Sequence, residues 1–174
     1  MRTVLHKWFW VWDYDKEEKW LNQKAAEGLA LVATGICRYE FEDCERGEYL
    51  YRLELLENHP DSPESRKYLE FLEEAGIERV GSYMRWVYLR KKAADGPFDL
   101  FSDYESRIAH LNRILCLLMP ITLLNLGMFL IGLNQSLGWV PFLNLSAGLL
   151  CLYGVIRFLI RKNKYKKERE ISEN

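Results

Sequence analysis

Two apolar stretches, each long enough to cross a bilayer, decide what this chain can become. Ile114–Leu133 reads ILCLLMPITLLNLGMFLIGL and holds no charge, while Trp139–Ile160 holds only Arg157, one turn before its end. A helix needs about 20 consecutive apolar residues to cross a hydrocarbon core roughly 30 Å thick. Both stretches qualify, and the five residues between them, Asn134 to Gly138, leave room only for an antiparallel hairpin. The first stretch begins after residue 113, too deep in the chain for a signal peptide. Neither stretch has the polar face that a buried hairpin of a soluble core would need.

Charge supports this division. The 24 Lys and Arg nearly balance the 25 Asp and Glu, but they are unevenly spread. Residues 1–113 carry a net charge of −5, residues 114–156 no Asp, Glu, Lys or Arg at all, and residues 157–174 a net of +4. Arg107 and Arg113 precede the first span, and the run RKNKYKK from Arg161 to Lys167 follows the second. By the positive-inside rule both termini face the cytoplasm and the protein is a multi-pass resident of the plasma membrane. The basic tail, 161–174, suits anionic headgroups. An acidic head disfavours nucleic acid as a partner. Trp139 and Tyr153 read as interfacial or packing aromatics, Tyr153 more as a packing one.

Within the spans, Pro120 permits a kink. Asn125 is placed to hydrogen-bond across the hairpin, toward Asn144 or Ser146, and Gly148 permits close helix approach. The helix centres hold no ionisable residue, which argues against a proton relay or ion pathway. The spans read as an anchor or as a surface for oligomerisation or a membrane partner.

The head, residues 1–96, reads as α+β. Lys7–Trp12 (KWFWVW) is an aromatic, β-branched run that predicts a strand buried on both faces. Asp15 and Glu18 predict a capping box opening a helix that Gly28 ends. Cys37–Phe41 and Tyr49–Leu55 alternate apolar with polar residues, and Glu45-Arg46-Gly47 fits a three-residue hairpin loop. That hairpin would pair Phe41 with Tyr51 and Tyr39 with Leu53 on one face. On the other it would pair Glu40 with Arg52 and Arg38 with Glu54. Ser62-Pro63 opens a second helix with Tyr68, Leu69, Leu72 and Ala75 as its stripe and Gly76 as its end. A last strand spans Arg79 to Arg90. The resulting order, β-α-β-β-α-β, predicts a ferredoxin-like sandwich with helices over one face of a single sheet. After Pro97, Ser102 and Glu105 form another capping box, and the juxtamembrane helix to residue 113 is expected to run into the first span.

Catalytic chemistry is not written here. Cys37, Cys44, Cys116 and Cys151 lack zinc spacing and read as small buried hydrophobes. His6, His59 and His110 have no partner motif and read as solvated or strand-edge residues. No phosphate loop, GxSxG or HExxH is present. No cofactor and no metal are expected, and the chain reads as a non-enzyme. The aromatic density stands out: Trp8, Trp10, Trp12, Trp20 and Trp86 with Tyr39, Tyr51, Tyr83 and Tyr88 mostly fill a small core. Trp8, Trp10, Trp12 and Trp86, with Arg38, Glu40, Arg52 and Glu54, form the candidate interaction surface on the sheet face that helices leave uncovered.

The segments KWFWVWDYDKEEKWLNQKAAEGLAL, YRLE, YLEFLEEAGIERV, WVYLRK and LFSDYESRIAH, in that order, resemble an uncharacterised bacterial domain-of-unknown-function family of small, mostly Gram-positive, two-span membrane proteins. Its members are often encoded beside PadR-type transcriptional regulators. The resemblance implies a membrane-linked regulatory or sensing role with a protein partner such as that regulator, and it carries no set of functional residues. Two other roles fit the same residues: an accessory subunit of a membrane transporter, and small-ligand binding on the aromatic surface.

Overall fold

A computed structural model describes residues 2–101, 103–135 and 137–172. The chain divides into two units, Met1–Leu100 and Phe101–Asn174.

The first unit is α+β, built from two copies of one pattern, strand-helix-strand-strand. The first copy holds β1 (Arg2–His6), α1 (Tyr14–Ala26), β2 (Leu29–Gly35) and β3 (Arg38–Asp43). In the second copy these become β4 (Tyr49–Leu55), α2 (Pro63–Glu74), β5 (Ile77–Tyr83) and β6 (Trp86–Lys92). Each copy makes an antiparallel sheet with its last strand in the middle, in the orders β1-β3-β2 and β4-β6-β5. An offset of 48 residues superposes the details. Gly28 and Gly76 both end a helix in the left-handed region, and Leu21 and Leu69 are both buried on the helices. Register shifts fall at Leu31/Ala33 and at Arg79/Gly81.

The ferredoxin-like sandwich is therefore replaced by two three-stranded sheets, for reasons local to particular residues. Glu45–Gly47 does turn, with Gly47 at φ +73°, but β3 has no free edge to offer β4. Two-residue turns at Ile36-Cys37 and Met84-Arg85 close β2 onto β3 and β5 onto β6, and β1 takes the other edge of β3. The left-handed residues in those turns are Cys37 and Met84, both at φ 55°, so neither turn carries the usual glycine or asparagine sign. The expected strand Arg79–Arg90 is thus a hairpin. The expected strand Lys7–Trp12 is a loop entering a 3-10 turn at Val11–Asp13, because the β1–β3 ladder ends at His6–Arg38, the first residue of β3, where the chain has only just turned out of β2. Helix α1 begins at Tyr14 behind Asp13, which makes no side-chain cap. Helix α2 is capped as expected, Ser62 Oγ accepting from the Ser65 N–H at 3.2 Å.

Alternation then sorts the cores. One cluster joins Leu21 and Ala25 of α1 to Leu31, Tyr39 and Phe41 of the first sheet and Tyr51, Leu53 and Tyr88 of the second. Val87 and Leu89, on the opposite face of β6, pack with Leu69 and Leu72 of α2, and Leu56 and Phe98 join them. Phe41, Tyr51, Tyr39 and Leu53 do share one buried core, but as facing layers rather than as cross-strand pairs. The sheets abut along β2 and β5, where a Cβ at Gly81 would stand 2.8 Å from Thr34 Cγ2.

The outer edge of β4 is closed by side chains. Asn22 of α1 donates to the Tyr51 carbonyl at 3.0 Å and accepts the Tyr51 N–H at 2.9 Å. Glu18, expected in a capping box, instead accepts the Leu53 N–H at 3.2 Å and pairs with Arg52. Covering an edge in this way blocks pairing with other chains.

The second unit is a helical hairpin. Helix α3 (Tyr104–Asn134) runs unbroken from its cap through the first apolar stretch, and α4 (Val140–Ser172) continues through the basic residues. At ~1.5 Å per residue each helix is long enough to cross a bilayer with turns to spare. The N-cap of α3 is Asp103, whose carboxylate accepts the Ser106 N–H at 2.7 Å. Ser102, the expected cap, lies outside the described residues. Only 22% of each helix's most apolar stretch is buried, and Leu123, Leu124, Leu130, Phe142 and Leu149 point outward. A soluble core helix hides such residues, whereas lipid accommodates them. The hairpin reads as a membrane anchor.

Candidate functional site

The predicted interaction residues fall into three places. Trp8, Trp10 and Trp12 form a ladder in the loop after β1. Trp8 meets Trp10 edge-on at 5.3 Å, and Trp10 stacks on Trp12 at 5.1 Å. Trp12 is buried, but Trp8 is 60% exposed and Trp10 also reaches solvent. Trp86 packs its ring 5.4 Å from that of Tyr14 at the start of α1.

Arg38 and Glu40 lie on the face of β3 opposite Tyr39 and Phe41. They pair with each other at 2.6 Å, and Arg2 of β1 pairs with Glu42 at 2.9 Å. Arg52 and Glu54 belong to the other sheet, on the side facing α2. Glu54 is buried and accepts the Tyr68 hydroxyl at 2.9 Å, while the Arg52 guanidinium lies over Phe98. The eight residues therefore do not form one surface, because the β3–β4 ladder that would join them does not exist.

The cluster with the most unusual chemistry went unseen in the sequence. Glu17 of α1 is buried, and its Oε1 accepts the hydroxyls of Tyr39 at 2.7 Å and Tyr88 at 2.6 Å. One carboxylate oxygen thus ties a helix to a central strand of each sheet. Burial raises the Glu17 pKa above the usual carboxylate value, outweighing the two hydroxyls that favour the charged form. Both phenols are pushed well above their ordinary range, first by burial and then by the neighbouring carboxylate. Tyr51 is pushed up to about 12 by burial, and its hydroxyl accepts the Leu31 N–H at 2.8 Å. Arg90 donates to the Leu31 carbonyl at 3.4 Å. These buried polar groups bind the two sheets together. In the sequence Glu17 is one of several acidic residues opening a helix, and only the three-dimensional meeting with Tyr39 and Tyr88 sets it apart.

In the hairpin, the Asn125 amide donates to the Ile121 carbonyl of its own helix and the Ser146 hydroxyl to that of Phe142. The expected bond across the hairpin is replaced because a helix offers such side chains a carbonyl one turn back. Asn144 is half-buried, and Pro120 lies inside α3 on an exposed position. At Gly148 a Cβ would meet Leu126 Cδ2 at 2.8 Å and Asn125 Cβ at 3.5 Å. Tyr153 is exposed rather than packed, its ring near the Arg157 guanidinium at 5.8 Å. The cysteines are free and none is buried; Cys116 is exposed. His59 is exposed, but His110 is buried against the Phe101 ring. Among the described residues no three His, Cys, Asp or Glu side chains are placed to hold a metal ion.

Residues 13–123 match the model of a family described as a protein of unknown function, DUF2812. No curated protein and no solved structure matches the chain.

Proposed function

We propose a role for this chain, which belongs to the DUF2812 family of proteins of unknown function: it is a membrane-anchored, non-enzymatic regulatory module whose head binds a protein partner. The carrying observation is the contrast between two equivalent edges. In the second repeat the edge strand β4 is closed by Asn22 and Glu18. Its counterpart β1 pairs with β3 alone among the described residues. An open strand edge is a template for a strand from another protein, with main-chain hydrogen bonds giving affinity and flanking side chains giving selectivity. Arg2, Arg38, Glu40 and Glu42 supply a patterned charged surface beside that edge. A transcriptional regulator held at the membrane is the partner class that suits a tethered head. The basic residues after the second span favour a head and both termini in the cytoplasm.

The test is photocrosslinking of the full chain in its native membrane. A photoreactive residue at Arg2 or Arg38 should give one discrete adduct whose mass spectrum identifies a DNA-binding regulator. The same residue at Lys67, on exposed α2, should not. Equal adducts at all three positions, or none at the first two, would remove the reading.

A further inference from the structure

We propose that the end of the head carrying the tryptophan ladder docks into the headgroup region of the bilayer in which the chain is anchored. Exposed large apolar side chains of the head gather there. Of the eight such residues among those described, Val4, Trp8, Trp10, Val11, Ile36, Phe71, Tyr83 and Met84, all but Val4 and Phe71 belong to three neighbouring segments. The Lys7 N–H donates to the Cys37 carbonyl at 3.1 Å, joining the ladder loop to the Ile36-Cys37 turn. The ladder leads into Tyr14, whose ring meets Trp86, and Trp86 pairs with Tyr83 beside Met84.

The two turn tips occupy equivalent places in the repeats, and each presents one bare apolar side chain, Ile36 at 68% exposure and Met84 at 67%. Tips of β-turns ordinarily carry polar residues, and a contiguous exposed apolar patch marks a binding surface. Tryptophan, apolar in body with one N–H donor, is the side chain most suited to the headgroup level. Lys7 lies within the patch, its ammonium 4.9 Å from the Trp20 ring, and a cation there suits anionic headgroups.

A head tethered to a bilayer meets it at high effective concentration, so a small apolar end suffices.

The test uses the full chain with Trp139→Phe, reconstituted in vesicles of phosphatidylcholine and phosphatidylglycerol brominated on the acyl chains near the headgroup. The bromolipid should quench part of the tryptophan emission, and Trp8→Phe with Trp10→Phe should abolish that part. Ile36→Asp with Met84→Asp, both at exposed tips, should restore access of aqueous acrylamide to Trp8 and Trp10. If these tryptophans are unquenched by bromolipid and open to acrylamide in the parent chain, the proposal fails. It fails equally if they are shielded in native membranes but not in pure lipid, which would identify a protein as the occupant.

Discussion

Replacing Tyr88 by Phe isolates the energy of the Glu17 tie. The ring stays, so no cavity opens, and only the hydroxyl that donates to Glu17 Oε1 at 2.6 Å is lost. A hydrogen bond to a charged group contributes about 1.5–3 kcal/mol, so Tyr88→Phe should cost ~2 kcal/mol, and Tyr39→Phe, bonded at 2.7 Å, about the same. The double variant should cost less than the sum. With both donors gone, nothing offsets the burial that already raises the Glu17 pKa, and the carboxyl takes up a proton instead of remaining an unpartnered charge. Urea unfolding of the full chain in mild detergent, followed by tryptophan emission, measures all three; Trp20, 4.9 Å from Tyr39, reports on this core. The pH dependence has a definite sign. Because the folded pKa of Glu17 lies above its ordinary 4.5, its contribution is fully present below that value and is lost as pH rises through the folded pKa. Glu17→Gln should therefore flatten this fall in stability. Losses below about 0.5 kcal/mol for both single variants, or strict additivity in the double, would show that Glu17 does not tie the sheets through these hydroxyls.

Asn22→Ala removes both bonds to Tyr51 and uncovers the β4 edge, and should lower stability by ~2 kcal/mol in the same urea assay. Gly81→Ala pushes a methyl against Thr34 Cγ2 and should cost about 1–3 kcal/mol, with Thr34→Ser, which deletes that Cγ2, restoring most of the loss. In the hairpin, Gly148→Leu should lower the thermal stability of the detergent-solubilised chain because Leu126 and Asn125 crowd the site. Gly127→Leu should not, since nothing lies within 4 Å of a Cβ there.

What could be read in the sequence divides along a physical line. Features set by composition over a whole segment were legible: the two long apolar helices, the α+β character, and the helices ended by Gly28 and Gly76. Local alternation also named Phe41, Tyr51, Tyr39 and Leu53 as one buried set. Pairing partners were not legible. The left-handed turn residues Cys37 and Met84 read as the start of one strand and the middle of another, whereas Glu45-Arg46-Gly47 looks like a hairpin loop and instead connects two sheets. Opposite charges at Glu40 and Arg52 supported a pairing that chain topology forbids. The 48-residue repeat was faint because the halves share pattern rather than residues: Tyr39 and Phe41 stand where Val87 and Leu89 do. Glu17 was hidden because its partners lie 22 and 71 residues away.

The anchored hairpin is tested most directly by cysteine accessibility in whole cells. With Cys37, Cys44, Cys116 and Cys151 replaced by Ser or Ala, single cysteines are placed at Leu137, between the helices, and at Ser172 and Val4. A membrane-impermeant maleimide should label Leu137→Cys from outside intact spheroplasts and should reach Ser172→Cys and Val4→Cys only after lysis. Recovery of the protein in the soluble fraction, or labelling that puts Val4 and Ser172 on opposite sides, would contradict a head held on a two-helix membrane hairpin.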